Sequence, residues 1–322
     1  MSEVKVLDFM GKRNIALFLS AVLLLVSVLS LATRGLNFGL DFTGGAQIEL
    51  GFERSVDVEV IRSTLVDAGY KDVAAQYFGN NTDVLIRMQE DNNPALGEEV
   101  LSLVQAMRDD VSLRRNEFVG PQVGEELANQ GGIGMLVALG LVMLYIAFRF
   151  QFKFAIGAVV ALVHDVLIVL GFFSLTQMAF DLTVLAAVLA VIGYSLNDTI
   201  VVSDRIRESF QTLRSNDISY LINISLTQTL GRTIITSFTT VLVLLALAVL
   251  GGEMIFAFAI ALIVGVAIGT YSSIYVAANI LMLMNISKED LIPQEREQVD
   301  QDEVPSWLKD EGNEGKEADE KP

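Results

Sequence analysis

The sequence predicts a polytopic α-helical membrane protein with six transmembrane helices and one α+β extracytoplasmic domain. Three observations carry this reading. There are six long apolar stretches, Lys and Arg are distributed one-sidedly between them, and short strand-like and helix-like segments alternate between the first two stretches. Of the 322 residues 52% are hydrophobic, and they are clustered rather than dispersed. That clustering excludes a soluble globular, a disordered or a collagen-like chain.

A hydrocarbon layer about 30 Å thick is crossed by about 20 largely apolar residues in a helix. Stretches of this kind lie at 15–33, 133–150, 154–175, 182–203, 233–250 and 254–284, and none contains a proline. The last is long, so part of it is expected to tilt or to project beyond the lipid. The first exceeds the roughly 7–15 residues of a signal-peptide core, and no A-x-A-like cleavage site follows, so it is expected to remain as a span.

Lys and Arg gather on the cytoplasmic side of a membrane protein. Lys5, Lys12 and Arg13 precede the first span, Arg149 and Lys153 lie between the second and third, and Arg205, Arg207, Arg214 and Arg232 lie around the connection between the fourth and fifth. The connections 176–181 and 251–253 carry neither residue. Both termini are therefore expected in the cytoplasm. The chain divides into a cytoplasmic N-terminus (1–14), helix 1 (15–33), a periplasmic α+β domain (34–131), the bundle of helices 2–6 (132–284, with a cytoplasmic loop at 204–231) and an acidic disordered tail (285–322).

Within the domain, Ala46 to Phe52 reads as a strand with Ile48, Leu50 and Phe52 on one face. Val56 to Ala68 has helical spacing, with Ser55 as its expected N-cap. Val73 to Phe78 and Asp83 to Met88 read as strands joined by a turn at Gly79-Asn80-Asn81. A helix over Gly97 to Arg108 and a strand over Leu113 to Val119 complete the order β-α-β-β-α-β, that of a ferredoxin-like domain. No carboxylate pair, histidine cluster or phosphate loop stands out in it, so binding or mechanical work is expected there rather than catalysis.

Composition narrows the chemistry further. The chain has no cysteine and one histidine, His164. Disulfides, thiolate-held metals and thiol nucleophiles are excluded, and neither a metal centre nor an enzyme is expected. Residues 35–128 hold 17 acids against 7 bases, and residues 287–322 hold 13 against 5, so the net charge of −17 lies outside the spans. Acidic polar parts argue against nucleic acid as a partner, because phosphate binding needs Lys and Arg patches. In the tail, Trp307 reads either as an anchor at a membrane or partner surface or as part of a solvated segment.

Ionisable groups inside a membrane cost about 2.5–3.5 kcal/mol on insertion scales, so they draw attention first. Asp198 sits within the fourth span, and Tyr194, Asp198, Val201 and Arg205 share one helical face. Burial and a neighbouring cation push a carboxylate in opposite directions, which suits a group that loads and releases a proton. A fixed buried ion pair is the other reading. Arg232 opens the fifth span and is, by position alone, an ordinary cytoplasmic anchor. Arg232, Thr236 and Thr240 form one stripe with Thr233 and Ser237 beside it. These hydroxyls either hold water or bond the carbonyl one turn back.

His164 and Asp165 lie near the middle of the third span. Adjacent helical residues point about 100° apart, so both cannot face one partner squarely. A proton relay and a satisfied structural pair both stay open. Asn197 reads as packing glue between helices. Asp204, Arg205, Arg207 and Glu208 read as a solvated helical extension. Gly134, Gly140, Gly157 and Gly171 fall within spans, and Gly265 and Gly269 form a G-x-x-x-G expected to pack closely against a neighbouring helix, with a partner subunit as one candidate.

Three stretches now carry a resemblance. They are Gly39-Leu40-Asp41-Phe42-Thr43-Gly44-Gly45 after the first span, Val119-Gly120-Pro121-Gln122-Val123-Gly124 before the second, and Gly193 to Arg207 (GYSLNDTIVVSDRIR) in the fourth. With Leu226 to Leu230 and Arg232-Thr233 they resemble the SecD/SecF family of the resistance–nodulation–division superfamily, on its SecF side, over about residues 8–285. The resemblance implies a bacterial inner-membrane protein paired with SecD and associated with SecYEG and YajC. Such a protein uses the proton motive force to complete translocation of preproteins, with the preprotein and membrane lipid as further partners and protons, not a cofactor, as the coupling species. It assigns the proton pathway to Asp198 and Arg232, and a structural role to Gly39, Asp41, Gly44, Gly45 and Pro121. His164, Asp165, Asn197, Thr233, Thr236 and Ser237 remain relay or polar-support candidates. A small-molecule or lipid exporter subunit of the same superfamily and a scaffold without ion coupling stay as alternatives. An intramembrane aspartyl protease would need a second aspartate, for which only Asp165 is a candidate, and Gly-x-Gly-Asp is absent.

Overall fold

Among the described residues, six helices are long and apolar enough to cross a membrane. The structure is a computed structural model that describes residues 6–287 apart from 72, 89–92, 94, 150, 151 and 216. The expected disordered tail from 288 onward, Trp307 and Lys5 lie outside the described residues. A 3-10 turn at Met10–Lys12 leads into α1 (Arg13–Arg34), and a short turn of helix, α2 (Leu40–Thr43), follows it.

The α+β domain then runs β1 (Gly45–Phe52), α3 (Val58–Asp67), β2 (Ala74–Phe78), β3 (Asn80–Met88), α4 (Leu96–Gln105) and β4 (Val111–Val119). The strands form one sheet in the order β2-β3-β1-β4, with every neighbouring pair antiparallel. Alternation along β1 and β3 sends Ala46, Ile48, Leu50, Phe52, Val84, Ile86 and Met88 to one face. There they meet Ile61 and Leu65 of α3 and Leu96, Val100 and Val104 of α4. Removing each such side chain from water contributes about 1.5–3 kcal/mol, and this core is what makes a domain of this size stand on its own.

Two local expectations shift. Asp57, not Ser55, caps α3, because the helix starts at Val58 and Asp57 Oδ1 accepts from Glu59 N at 3.0 Å. The hairpin between β2 and β3 is tighter than a Gly79-Asn80-Asn81 turn. Phe78 already pairs with Asn80 across Gly79, which takes φ +78°, a conformation glycine adopts without a Cβ clash.

The bundle continues with α5 (Pro121–Arg149), α6 (Phe152–Thr176), α7 (Leu182–Thr212), α8 (Ile218–Leu250) and α9 (Glu253–Ser272), then a π-helical turn (Ser273–Ala277) and α10 (Ala278–Leu283). Helix α5 begins straight after β4, so residues 121–131, read above as part of the domain, are helical. Proline suits that first helical position, where an N–H has no intrahelical partner to lose.

The helical extension read at Asp204, Arg205, Arg207 and Glu208 is present and reaches Thr212, and the rest of the expected loop 204–231 is helix as well, apart from a short connection at 213–217. Hydropathy marks only where lipid ends, not where a helix ends. At 1.5 Å per residue, the 31 residues of α7 and 33 of α8 run about 46–50 Å, well past a hydrocarbon layer of about 30 Å. Their extensions bury apolar surface of their own. Ile206 and Phe210 of α7 pack with Leu221, Ile222 and Leu226 of α8, with Met10, and with Leu281 and Ile286. Asp217 caps α8, accepting from Ser219 N at 2.9 Å. The backbone N–H groups of Phe9 and Met10 both donate to Asn223 Oδ1 at 3.0 Å, which ties the N-terminal segment to α8.

Gly171 lets α1 and α6 touch: a Cβ there would lie 2.2 Å from Ser27 Cβ. Gly265 and Gly269 play the same part for α9 against α7, facing Val191 and Ser195. The G-x-x-x-G stripe therefore serves a seam inside this chain and not a partner-facing one.

Substituting Leu50 or Ile86 by alanine removes a side chain with no exposed surface and is expected to cost the domain about 2–5 kcal/mol. Limited proteolysis of membrane vesicles checks this. The domain should be cut far faster while the bundle keeps its protection.

Candidate functional site

The GG segment after α1 positions the N-terminal end of α7. Gly39 N donates to Phe180 O and Phe180 N to Asn37 O, both at 2.8 Å, so the segment is bridged to the chain entering α7. The rings of Phe38, Phe42 and Phe173 close around Phe180. A Cβ on Gly39 would come 2.9 Å from Asp181 Cβ, and Gly44 and Gly45 take φ of +67° and +111°, which disfavour any side chain. Asp41 Oδ2 accepts from Leu182 N at 3.0 Å, and Asp181 Oδ1 from Val184 N at 2.9 Å. Two carboxylates thus cap one helix N-terminus, where negative charge is favoured.

The face of the sheet away from α3 and α4 looks onto this end of the bundle across a cleft of about 700 Å³. Arg87 of β3 lines it together with Asp41 and Asp181. Burial presses the Arg87 guanidinium below its usual pKa, and the charges of Asp181 and Asp41 oppose that.

Further along α7 lies Asp198, only 4% exposed. Its Oδ2 has no hydrogen-bond partner among the described residues. Arg232 of α8 acts on it through space, yet no ion pair joins the two among the described residues. Arg232 is itself exposed in the single chain. Tyr194, one turn before Asp198, donates to Ser237 Oγ at 3.3 Å, and Ser237 shares a 2.6 Å hydrogen bond with Thr270 of α9. Thr233 is buried beside them. Thr236 and Thr240 bond the carbonyls of Arg232 and Thr236, one turn back. Asn197 does not act as glue between helices of this chain. It is exposed on α7 and has no hydrogen bond among the described residues, because it points about 100° away from the Asp198 side.

Asp165, at the middle of α6, has the opposite surroundings. It is fully buried. Oδ2 accepts from Ser195 of α7 at 2.5 Å and from Ser272 of α9 at 2.6 Å, while Oδ1 meets His164 Nδ1 at 2.8 Å. His164 Nε2 lies 3.2 Å from Ser20 Oγ of α1, Ser20 Oγ lies 3.0 Å from Tyr271 Oη, and Tyr271 donates to Ala16 O at 2.6 Å. The pair points two ways, as its 100° offset requires, and joins α1, α7 and α9 to α6. Ser20, Ser195, Tyr271 and Ser272 were not singled out from sequence. The available signal was Ser20, Ser27 and Ser30, which fall on one face of an otherwise apolar span, all three buried.

One carboxylate is thus saturated with donors and the other keeps a bare buried oxygen. In a dry interior an unpartnered charge is costly, so the Asp198 site favours either a proton on the carboxyl or a rearrangement that brings a cation to it. Among the described residues no three His, Cys, Asp or Glu side chains converge as metal ligands.

Removing the Asp41 cap by Asp41→Ala is expected to lower stability by about 0.5–2 kcal/mol, with Asp41→Asn, which keeps an acceptor, near wild type. Thermal unfolding in detergent micelles checks the order.

Comparison with known proteins agrees with this architecture. Residues 99–287 match the family described as protein export membrane protein SecD/SecF, C-terminal, and residues 29–56 match the SecD/SecF GG motif. The chain is 52% identical over 301 residues to the protein translocase subunit SecF of Pseudomonas aeruginosa, covering 92% of this chain and 98% of that one. It is 45% identical over 307 residues to the SecF of Vibrio alginolyticus, covering 94% and 98%. Among solved structures, SecDF from Thermus thermophilus, a translocon-associated membrane protein, superposes with a TM-score of 0.81 at 37% identity. That match covers 88% of this chain and 40% of the other, so the chain spans about two fifths of SecDF. SecDF in a super-membrane-facing form gives 0.64 at the same identity. The capped GG segment, the four-stranded domain behind it and the six spans are those of a protein-export component, and the chain belongs to the SecD/SecF family.

Proposed function

We propose that this chain couples proton movement to protein export, as the SecF half of a unit completed by SecD in the bacterial inner membrane and working beside SecYEG. The observation that carries the reading is the bare, buried Oδ2 of Asp198 within the field of Arg232 but not bonded to it. Protonation removes the charge and with it the attraction to Arg232, and deprotonation restores both. Two packings of α7 against α8 then differ in which of them the charge favours. The membrane potential supplies about 2.3 kcal/mol per charge crossing 100 mV, enough to bias such a pair.

Two features support a second subunit. Arg232 and Asn197 are exposed in the single chain, and polar groups facing lipid are costly, so a SecD bundle covering these faces resolves the cost. Helices α5 and α8 also bury little of their own surface here. The Lys and Arg distribution orients both termini toward the cytoplasm, with the α+β domain in the periplasm, where it meets the emerging preprotein. YajC is a further partner on the family's pattern.

The reaction step lies in α7, and its outer end is held by Asp41 and Asp181 next to the domain. A shift of α7 therefore moves the floor on which the domain rests, and this is the path from proton to exported chain. The polar contacts of Tyr194, Ser237 and Thr270 hold α8 and α9 in register with Asp198 while it changes state, and Thr233 and Thr236 line the same approach.

Export of a secreted reporter in cells depleted of the native protein tests this. Asp198→Asn and Arg232→Ala should reach the membrane and co-purify with SecD at wild-type levels, yet lose the part of export that depends on the proton motive force. Normal export by Asp198→Asn would instead make the chain a scaffold without ion coupling.

A further inference from the structure

His164 and Asp165 form an ionisable pair inside the bundle whose hydrogen bonds can be counted proton by proton. Tyr271 Oη donates to Ala16 O at 2.6 Å, so its single proton is used and the phenol oxygen can only accept. Ser20 Oγ, 3.0 Å away, is then the donor to Tyr271, which uses the single proton of Ser20. The remaining contact of Ser20, at 3.2 Å to His164 Nε2, is a hydrogen bond only if Nε2 carries a proton. With Nε2 protonated, a neutral imidazole has a bare Nδ1. That bare nitrogen faces Asp165 Oδ1 at 2.8 Å, where two lone pairs with nothing between them would repel.

A proton must therefore lie between Nδ1 and Oδ1. It belongs either to an imidazolium beside a carboxylate or to a carboxylic acid beside a neutral imidazole. Both forms contain the same atoms and no net charge, one proton more than neutral histidine beside ionised aspartate. Among the described residues His164 is the one group bonded to Oδ1, while Ser195 and Ser272 both donate to Oδ2. Burial agrees with neutrality: His164 is 4% exposed and Asp165 0%, and a net charge left there would lack solvent. The groups bonded to the pair from its neighbours are hydroxyls, Ser20 from α1, Ser195 from α7 and Ser272 from α9. The titratable groups in the stacked and relayed contacts are Tyr271, whose ring lies on His164, and Tyr275, whose ring lies on Tyr271.

We propose that the His164–Asp165 pair binds one proton between Nδ1 and Oδ1 and is a second proton-holding site of the bundle, separate from Asp198. Its place in the work of export rests on the proton-coupled reading above, but the bound proton does not. The hydroxyl chain through Ser20 and Tyr271 selects the Nε2–H form, and so acts as the positioning device for that proton.

The chain contains a single histidine, so protein labelled with 15N-histidine in lipid bilayers reports one ring without ambiguity. At neutral pH the expected spectrum shows a directly bonded proton on Nε2 in the wild type. Asp165→Asn should shift the Nδ1 resonance and leave Nε2 protonated, whereas Ser20→Ala should move population toward Nδ1–H. A wild-type ring with Nε2 bare and the proton on Nδ1 alone would overturn the proposal and make the pair a plain neutral-histidine, ionised-aspartate support. That wild-type reading stands even where a variant fails to fold. It is also independent of reporter export, so loss of the proton-coupled reading and loss of this one are told apart.

Discussion

Inside hydrocarbon no water is at hand to complete a hydrogen bond, and that requirement organises this bundle around Asp165. The carboxyl sits at the middle of α6 with donors reaching it from α7 and α9, and through His164 from α1. Four helices are thereby fixed in azimuth as well as in distance. Gly171, Gly265 and Gly269 are the steric counterpart, since the hydroxyls could not reach if larger side chains held α1 from α6 or α9 from α7. Apolar packing alone tolerates rotation and sliding of helices against each other. Directional bonds to one buried group do not.

Asp198 differs from Asp165 in how its carboxyl is satisfied. Tyr194, Ser237 and Thr270 bond one another beside it and hold the neighbouring turn, while its own Oδ2 is left bare among the described residues. A saturated group and a poised one are therefore tied to α7 within one turn of each other, through Ser195 and Asp198. The N-terminal end of the same helix carries two acidic caps beneath the sheet of the domain. One helix thus links the Asp165 junction, the bare carboxyl of Asp198 and the α+β domain.

Much of this was legible in the residues. Alternation in β1 and β3 and the 3.6-residue spacing in α3 and α4 revealed the domain, because each element has one dry face and one wet one. The six spans were legible because lipid demands length and apolarity together. Asp198 was legible because a charge in such a stretch stands out against its neighbours. The hydroxyls around Asp165 were not, since a serine in an apolar helix reads the same whether it bonds its own backbone, as Thr236 does, or another helix, as Ser272 does. Helix ends were also hidden at 204–231, where polar surface and a short apolar stripe coexist and only tertiary contact with Met10 and Ile206 shows that the helix persists. The direction of Gly265 and Gly269 depended on which helix lies opposite, and no local pattern encodes that.

The π-helical turn at Ser273–Ala277 has a geometric consequence of its own. Upstream of it Ser272 meets Asp165, while its last residue Ala277 and, beyond it, Leu281 meet Gly157 on the same helix α6. A uniform helix advances about 100° per residue and offers one phase for both contacts. The wider turn takes up an extra residue and resets that phase, as a vernier brings two scales into coincidence at separate marks. The last span can thus be locked at two heights along α6 without bending, and the alignment of each lock is set independently of the other.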